Sequence, residues 1–412
     1  MAAYRKLLPL LICLTSTGGA HAVVRRMFVT SVTGTGDLGS WPAAGPAVGI
    51  AAGDAICEAR ATAAGLANAS GYRAWLSDSA DDAYCRIHGL SGKVAANCGQ
   101  ATLPAAAGPW RRTDGSDFGA TITQLLSPTY EVFHSPRLTE NGTTIHALVW
   151  TGTISLGTLG NFGSCGDWQS DSAGDLGAYG GTEYSGQEWT GLGGDTCEAP
   201  NHLFCFEIGA GDPLPPRTTW GRLAFVTAAT GSGDLSSWSL AGGQTGLAAA
   251  DTICRNSAGA AGLPNPDSFK AWLSTATVDA RDRFLDDGPW LRIDRVRIAT
   301  NLADLTDGYL RAPLNVTETG VYLGSNLVFT GTDESGVAVP ERCNDWSSDA
   351  SGDTGQTGAA DGADLDWTFH DITLTGGSCS SLRSLYCLQD LPLVFADGFA
   401  SGNAGAWSDV VP

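Results

Sequence analysis

The chain is poor in basic side chains, with 23 lysines and arginines against 43 aspartates and glutamates and a formal net charge of −20. Partners such as nucleic acid, heparin or an anionic membrane surface need a basic face on the protein. The charge balance therefore argues against all three. It fits a protein of the extracellular medium and leaves many carboxylates for divalent cations.

Long apolar runs are also scarce. The most apolar one, Leu7 to Leu14, is too short to cross about 30 Å of hydrocarbon. Arg5 and Lys6 precede it, and Ala20-His21-Ala22 supplies a small-x-small cleavage site. A short membrane helix is the alternative, but the length favours a signal peptide over residues 1–22, cleaved near Ala22. The mature chain is then expected to be secreted or surface-associated, extracellular or periplasmic, with no membrane span.

What the chain does have is an internal repeat. Arg26–Thr30 matches Leu223–Thr227, and this offset of 197 residues persists without a gap for about fifty positions. It falls to 180 at Gly108-Pro109-Trp110 and then stays near 178, so the first copy carries about 17 extra residues. The sequence predicts two copies of one domain, joined by a stiff proline-rich linker and followed by a C-terminal tail. These segments are residues 24–209, 221–390, 210–220 and 391–412.

The cysteines follow the repeat. No pair has the two-to-four-residue spacing of metal sites, and the ten cysteines beyond the signal peptide suit disulfides in an exported chain. Cys85 and Cys98 both lie in the insertion of the first copy, so we predict that they pair. The other four in each copy allow three pairings, and the residues alone select none. They are Cys57, Cys165, Cys197 and Cys205, and Cys254, Cys343, Cys379 and Cys387.

Both copies show the same order of local patterns. In the first copy a short strand over Met27–Thr30 precedes a Gly-rich loop and an Ala-rich helix over Gly53–Gly65. An aromatic strand over Tyr72–Leu76 follows, and a last strand over Leu203–Phe206 carries the final cysteine. This order predicts an α+β fold, with one or two helices on a twisted, mostly antiparallel sheet and long loops. The second copy has its counterparts at 224–227, 248–262, 269–273 and 385–388.

Seven motifs of the second copy also resemble a known family. They are Ala249–Cys254, Gly259–Leu263, Phe269–Ser274, Phe329–Gly331, Cys343–Trp346, Thr354–Gly358, and Ser378-Cys379 followed by Leu385–Cys387. They resemble the endostatin domain, the C-terminal module of some collagens, and uncharacterised bacterial lipoprotein domains are similar. The resemblance covers nearly all of both copies and implies two tandem domains with a compact C-type lectin-like fold. It also implies nested disulfides, Cys57–Cys205 with Cys165–Cys197 and Cys254–Cys387 with Cys343–Cys379.

The ligands of these families do not transfer with the fold. Neither copy begins with the histidines of endostatin's zinc site, and its arginine-rich heparin surface has no counterpart in so acidic a chain. Sugar-binding lectins of this fold use Glu-Pro-Asn and Trp-Asn-Asp calcium motifs. Glu198–Asn201 and Asn344–Trp346 differ from these motifs in residue order and position.

Duplicated acidic loops are the candidate metal site, with calcium as the candidate cofactor. Clustered carboxylates on a Gly-permissive loop can wrap calcium, which takes six to eight oxygen ligands. The alternative, which the pattern favours, is that the Asp and Ser side chains cap turns on a solvated acidic surface. The candidate ligands are Asp167, Asp171 and Asp175 in the first copy and Asp345, Asp349 and Asp353 in the second.

Several tryptophans recur in register in the two copies. Those within predicted strands, such as Trp75 and Trp110, are expected in the core. Four others lie in loops and are candidates for an exposed ligand-binding surface, since large aromatic rings can stack on sugars. They are Trp41, Trp238, Trp189 and Trp367.

Catalytic signatures are missing. The chain has no Gly-x-Ser-x-Gly elbow, no His-Glu-x-x-His helix and no phosphate-cradling Gly-Lys-Ser/Thr loop. Its histidines occupy unmatched positions in the two copies, so no catalytic base is duplicated. We predict a non-catalytic adhesion or binding protein, exported from a bacterium, that recognises an extracellular glycan or a matrix or surface protein. The alternatives are a structural exoprotein without a discrete ligand and, less favoured, a secreted hydrolase.

Overall fold

The computed structural model describes residues 23–285, 288–370 and 377–391. The predicted signal peptide and the tail beyond residue 391 lie outside the described residues. The described chain contains two β-sheets, one in each sequence repeat, and few helices. This confirms the predicted α+β class. Among the described residues, no helix is both long and apolar enough to cross a membrane.

The first repeat forms an eight-stranded sheet. Its strands are β1 (Arg25–Val29), β2 (Tyr72–Ala74), β3 (Trp110–Arg111), β4 (Asp117–Gly119), β5 (Leu148–Trp150), β6 (Leu176–Gly181), β7 (Gly193–Thr196) and β8 (His202–Glu207). Its helices are α1 (Gly49–Ala63), α2 (Ala83–Ile87), α3 (Ile122–Leu125) and α4 (Cys165–Trp168). The sheet order is β4-β3-β1-β8-β5-β6-β7, with β2 also paired to β8. The last strand in sequence, β8, therefore lies at the centre of the sheet.

The second repeat forms a seven-stranded sheet of the same plan. Its strands are β9 (Arg222–Val226), β10 (Phe269–Ala271), β11 (Trp290–Arg292), β12 (Arg297–Ala299), β13 (Leu327–Phe329), β14 (Thr357–Ala359) and β15 (Ser384–Gln389). Its helices are α5 (Gly246–Ala260), α6 (Leu302–Leu305) and α7 (Cys343–Trp346). The order is β12-β11-β9-β15-β13-β14, with β10 paired to β15. In both sheets most pairings are antiparallel.

Each sheet is buried on both faces. In β8, Leu203 and Cys205 pack on the side of α1, while Phe204 and Phe206 point to the opposite core of tryptophans. This alternation follows from the two-residue period of a strand. A strand apolar at every position therefore needs cover on both sides, which α1 supplies on one face and the loop-borne aromatics on the other.

Five disulfides lie within the repeats, three in the first and two in the second. Cys57–Cys205 ties α1 to β8, and Cys254–Cys387 ties α5 to β15. The smaller inner pairs are Cys165–Cys197 and Cys343–Cys379. Cys85 pairs with Cys98 within the insertion of the first repeat. The structure thus contains both the nested pairing that the resemblance implied and the local pair inferred from the insertion.

The linker between the repeats has no regular secondary structure but is held in place by hydrogen bonds. The amide of Gly211 donates to the carbonyl of Gly108, and the amide of Asp212 donates to the carbonyl of Val23. Further on, Arg217 pairs with Asp117 at 3.2 Å. The linker is therefore docked onto the first repeat along much of its length.

Candidate functional site

The four loop tryptophans do not form an exposed surface. Trp189 and Trp367 are 0 % exposed, and Trp41 and Trp238 are 4 % and 7 % exposed. The ring of Trp189 packs 5.2 Å from that of Trp75, and Trp367 packs 5.4 Å from Trp272. The prediction of a ligand platform at these four positions is wrong.

Trp41 and Trp238 are buried because neighbouring glycines leave room for their rings. The indole of Trp41 lies against Gly34, where any side chain would clash with the ring, and Trp238 lies against Gly231 in the same way. Each indole N–H donates to a nearby backbone carbonyl. The Gly-rich loops that suggested exposure are therefore the feature that lets the backbone accommodate these rings.

Replacing Trp189 or Trp367 with alanine is expected to lower the free energy of unfolding by about 3–5 kcal/mol, since each leaves a large cavity in the core. The matched control is Trp220→Ala, because Trp220 is 61 % exposed. That change should stay within about 0.5 kcal/mol of the wild type. Urea denaturation followed by circular dichroism measures all three, and equal losses would contradict the assignment of Trp189 and Trp367 to the core.

The acidic loops hold turns together. Cys165–Trp168 and Cys343–Trp346 each have four consecutive residues with positive φ, a left-handed turn that needs outside support. Asp167 supplies it by accepting from the amide of Ser79 at 2.8 Å, and Asp345 accepts from the amide of Ala276 at 2.9 Å. This is the capping role that was the alternative to calcium binding.

The remaining carboxylates of these loops lie apart from that contact. Asp175 accepts from the hydroxyl of Ser170, and Asp353 accepts from that of Ser348, both at 2.5 Å. Asp171 and Asp349 are exposed. Within the described ranges no group of three or more His, Cys, Asp or Glu side chains is placed to hold a metal ion. The structure therefore does not bring the six predicted calcium ligands together.

Backbone hydrogen bonds also join the two repeats to each other. The amide of Ser185 donates to the carbonyl of Asp361 at 2.9 Å, and the amide of Ala363 donates to the carbonyl of Glu183 at 3.1 Å. The two bonds are equivalent to each other, since Ser185 corresponds to Ala363 and Glu183 to Asp361 at the repeat offset of 178 positions. Such a reciprocal exchange is the pattern of a two-fold interface. The two repeats therefore contact each other through equivalent segments.

Side chains at one pair of equivalent positions also bond across the contact, although to different partners. Arg137 of the first repeat donates to the carbonyl of Leu310 at 2.8 Å in the second. Its equivalent, Asn315, donates back to the hydroxyl of Ser185 at 3.1 Å. The interface is thus built from the same segments of both repeats.

Carboxyl groups crowd this interface. Burial raises the pKa of Glu183 to about 7, against the opposing charge of Arg137. Burial also raises the pKa of Asp364 to about 6, and the neighbouring Asp366 and Glu183 add to it. Asp361 is fully buried beside Glu188. Its burial and the charge of Glu188 raise the pKa of Asp361 well above its ordinary value. Several of these groups therefore keep their protons at pH values where exposed carboxyls are ionised.

We expect Glu183→Gln to gain stability relative to the wild type as the pH rises. A carboxyl whose folded pKa is raised adds stability that is complete below its unfolded pKa and is lost as pH rises through the folded pKa. For Glu183 this window runs from 4.5 to about 7. Because glutamine carries no charge, the variant should gain on the order of 3 kcal/mol on the wild type between pH 4.5 and 8.

Thermal and urea unfolding across this pH range measure the difference, with the exposed Glu198→Gln as the control whose difference stays flat. His146 lies 2.7 Å from the Glu183 carboxylate, and Arg137 lies 3.8 Å from it. Burial and the charge of Arg137 lower the pKa of His146, so at pH 8 Arg137 is the cation of the two. If Glu183→Gln instead loses stability at pH 8, Arg137 stabilises an ionised Glu183 and the raised pKa is contradicted.

A groove of about 520 Å³ opens beside this interface. The turn between β3 and β4 lines it from the first repeat, and the turn between β11 and β12 lines it from the second. Thr219 of the linker completes the lining. Its charged lining residues are the arginines Arg112, Arg137, Arg217, Arg295, Arg297 and Arg311, and the aspartates Asp114 and Asp117. The volume lies within the range of small-molecule sites, about 300–1,000 Å³.

Four of the six arginines have a carboxylate within 4 Å. Arg112 pairs with Asp114 at 3.0 Å, Arg217 with Asp117 at 3.2 Å, Arg311 with Asp304 at 2.7 Å, and Arg137 lies 3.8 Å from Glu183. Arg295 and Arg297 have no carboxylate partner in the part of the chain that the structure describes. The groove therefore carries an excess of positive charge.

His134 also lines the groove but does not add to this charge. Its Nδ1 atom lies 2.7 Å from the carbonyl of Asp117. Burial, together with the charge of Arg112, lowers the pKa of His134 to about 3. The imidazole is therefore neutral throughout the physiological range, and the positive charge of the groove comes from arginine alone.

The basic groove corrects one step of the charge argument. The net charge of −20 predicts that the protein has no basic surface. This prediction is wrong for the groove, whose lining has six arginines and two aspartates. Sequence reasoning missed the groove because its arginines come from separate segments of both repeats and the linker. One signal was available: at the equivalent turn, the first repeat has Gly115 where the second has Arg295.

Comparison with known proteins adds no assignment. No protein-family model matches the chain, and no curated protein matches it significantly. The resemblance to the endostatin domain therefore stays a prediction.

Proposed function

We propose that the chain is an exported, non-catalytic binding protein whose ligand site is the groove between its two repeats. The observation that carries this proposal is that both repeats and the linker contribute lining residues to one groove of about 520 Å³. Neither repeat supplies such a lining alone. The duplication then has a functional consequence, since it creates a site that a single domain lacks.

The setting of the groove supports a binding role. The reciprocal bonds of Ser185 and Ala363 fix the two repeats against each other, so the walls are held before a ligand arrives. A preformed site loses little conformational entropy on binding. The lectin-like fold implied by the resemblance, the predicted signal peptide and the disulfides support an extracellular ligand, either a glycan or a matrix or surface protein.

A groove-blocking variant tests the proposal. Thr144 is exposed and lines the groove, so Thr144→Trp fills it without changing any charge. The neighbouring Thr143 is also exposed but is not a lining residue, and Thr143→Trp is the matched control. An array of immobilised extracellular glycans and matrix proteins, read with and without calcium, should retain the wild type and Thr143→Trp on the same spots. Thr144→Trp should lose those spots.

The same experiment separates the alternatives. Retention of Thr144→Trp on the wild-type spots would place the ligand site elsewhere and overturn the proposal. Failure of the wild type to bind any spot would favour a structural exoprotein. Turnover of a hydrolase panel by the wild type would favour an enzyme.

A further inference from the structure

The turn that carries Arg295 is unusual for an arginine. Arg295 has a φ of +68°, in the left-handed region that favours glycine. At the equivalent turn of the first repeat the residue is Gly115, with a φ of +84°. The turn therefore has the same left-handed backbone in both repeats, but the second repeat has arginine where the first has glycine, and this backbone is strained for an arginine. Strain of this kind persists where a side chain has a function.

The strained side chain lies where a ligand can reach it. Arg295 is half-buried and lines the groove, and Arg297, two residues further on, is exposed and lines it as well. The guanidinium of Arg295 lies 5.5 Å from the ring centre of Trp220, an exposed residue beside the lining residue Thr219. A cation–π contact of this kind orients the guanidinium without neutralising it.

The charge balance of the groove selects the ligand's chemistry. Asp114, Asp117 and Asp304 already pair with Arg112, Arg217 and Arg311. Arg137 lies 3.8 Å from Glu183. Two guanidinium groups, those of Arg295 and Arg297, remain with no carboxylate partner among the described residues. Guanidinium forks donate paired hydrogen bonds to planar or tetrahedral oxyanions. Two such groups match the two charges of a phosphate monoester or of inorganic sulfate.

We propose that the groove binds a doubly charged tetrahedral oxyanion through Arg295 and Arg297. This inference rests on the proposed function, because it names the chemical class of ligand for the same groove. Arg137 adds positive potential to the lining, and the exposed ring of Trp220 lies next to the lining residue Thr219. A phosphorylated saccharide fits this combination of anion site and exposed aromatic ring.

Titration with inorganic sulfate and inorganic phosphate at constant ionic strength tests the inference. Tryptophan fluorescence and calorimetry measure the binding. We expect saturable binding of both anions and not of acetate, and about tenfold weaker binding in both Arg295→Gly and Arg297→Ala. The first variant installs the residue that the first repeat has at this turn, so its melting temperature should stay the same or rise. A structural role for Arg295 predicts the opposite change in melting temperature.

The control is Arg281→Ala, which removes an exposed arginine outside the groove and should leave the affinity unchanged. Glucose 6-phosphate compared with glucose then distinguishes a sugar phosphate from free phosphate as the source of the oxyanion. Absence of saturable binding, or wild-type affinity in both arginine variants, overturns the inference. If the anions fail to bind while Thr144→Trp still abolishes retention on the array, the proposed function stands and only the oxyanion assignment fails.

Discussion

Replacing Arg292 with methionine is expected to lower the free energy of unfolding by about 3 kcal/mol, because the largely buried carboxylate of Asp294 loses its main partner and keeps only the hydroxyl of Tyr322 and the more distant Arg217. Arg292 is fully buried and binds Asp294 through two hydrogen bonds of 3.1 and 2.8 Å. It also donates to the side chain of Asn315 at 2.7 Å, which in turn donates to Ser185 of the other repeat. The loss therefore reaches the contact between the repeats.

The titration of Asp294 gives this prediction a pH dependence. Burial raises the pKa of Asp294, and the charge of Arg292 more than offsets this, so its pKa lies below the ordinary value. A carboxyl of this kind adds stability above its unfolded pKa of 3.8, and this stability is lost as pH falls through the folded pKa. In Arg292→Met the carboxyl can take up a proton instead. The loss of stability should therefore be largest near neutral pH and smaller near pH 4.

The equivalent arginine of the first repeat is the matched control. Arg112 is buried like Arg292, but its partner Asp114 has a side chain that is 42 % exposed. Water can hydrate Asp114 when the arginine is removed, so Arg112→Met should lower stability by about 1–2 kcal/mol. Urea denaturation at pH 7 and pH 4 measures both variants. Equal losses at the two positions would contradict the buried ion pair as the cause.

Removing the Cys254–Cys387 disulfide is expected to lower stability by about 5 kcal/mol in the chain-entropy model. The bond closes a loop with a sequence separation of 133 residues, so its loss frees much of the second repeat in the unfolded state. It also ties α5 to β15, the central strand of the sheet. The loss of stability in the double variant Cys254→Ala/Cys387→Ala should therefore reach the lower end of the total stability of a typical domain, which is about 5–15 kcal/mol.

The short disulfide of the first repeat provides the comparison. Cys85 and Cys98 are separated by 13 residues, and the same model gives about 3 kcal/mol for their bond. The two double variants keep the number of removed bonds constant and change only the loop length. Guanidinium denaturation under non-reducing conditions measures both. A loss for Cys254→Ala/Cys387→Ala no larger than that for Cys85→Ala/Cys98→Ala would contradict the loop-length argument.

The sequence predicted the scaffold well wherever the repeat or a local pattern was sufficient. The strands around Phe28 and Cys205 lie at their expected positions, and Cys85 pairs with Cys98. The helix expected from Gly53 begins at Gly49 instead. Its N-cap is Val48, which has no side-chain hydrogen bond to the helix, so the usual Ser, Thr, Asp or Asn signal of a helix start was missing.

The functional surface was much less predictable. Loop position suggested that Trp41 was exposed, but the absence of a side chain at Gly34 lets its ring bury itself. The groove depends on how two repeats pack, and the residues at the centre of that contact, Tyr184 and Gly362, differ between the copies. A whole-chain charge of −20 hides an arginine-lined groove because it sums over the entire surface. Long-range packing of this kind leaves little trace in local patterns.

Hydrogen exchange at the contact between the repeats tests the central claim most directly, namely that the two repeats form one body around the groove. The amides of Ser185 and Ala363 each donate to a carbonyl of the opposite repeat, while residues 171–174 lie exposed and serve as an internal fast-exchanging reference. After exchange of the intact protein, mass spectrometry of its peptides should show residues 182–186 and 359–363 protected for at least minutes longer than this reference. Exchange of both segments as fast as residues 171–174 would mean that the repeats move independently on their linker, and the shared groove would not be a fixed feature of the protein.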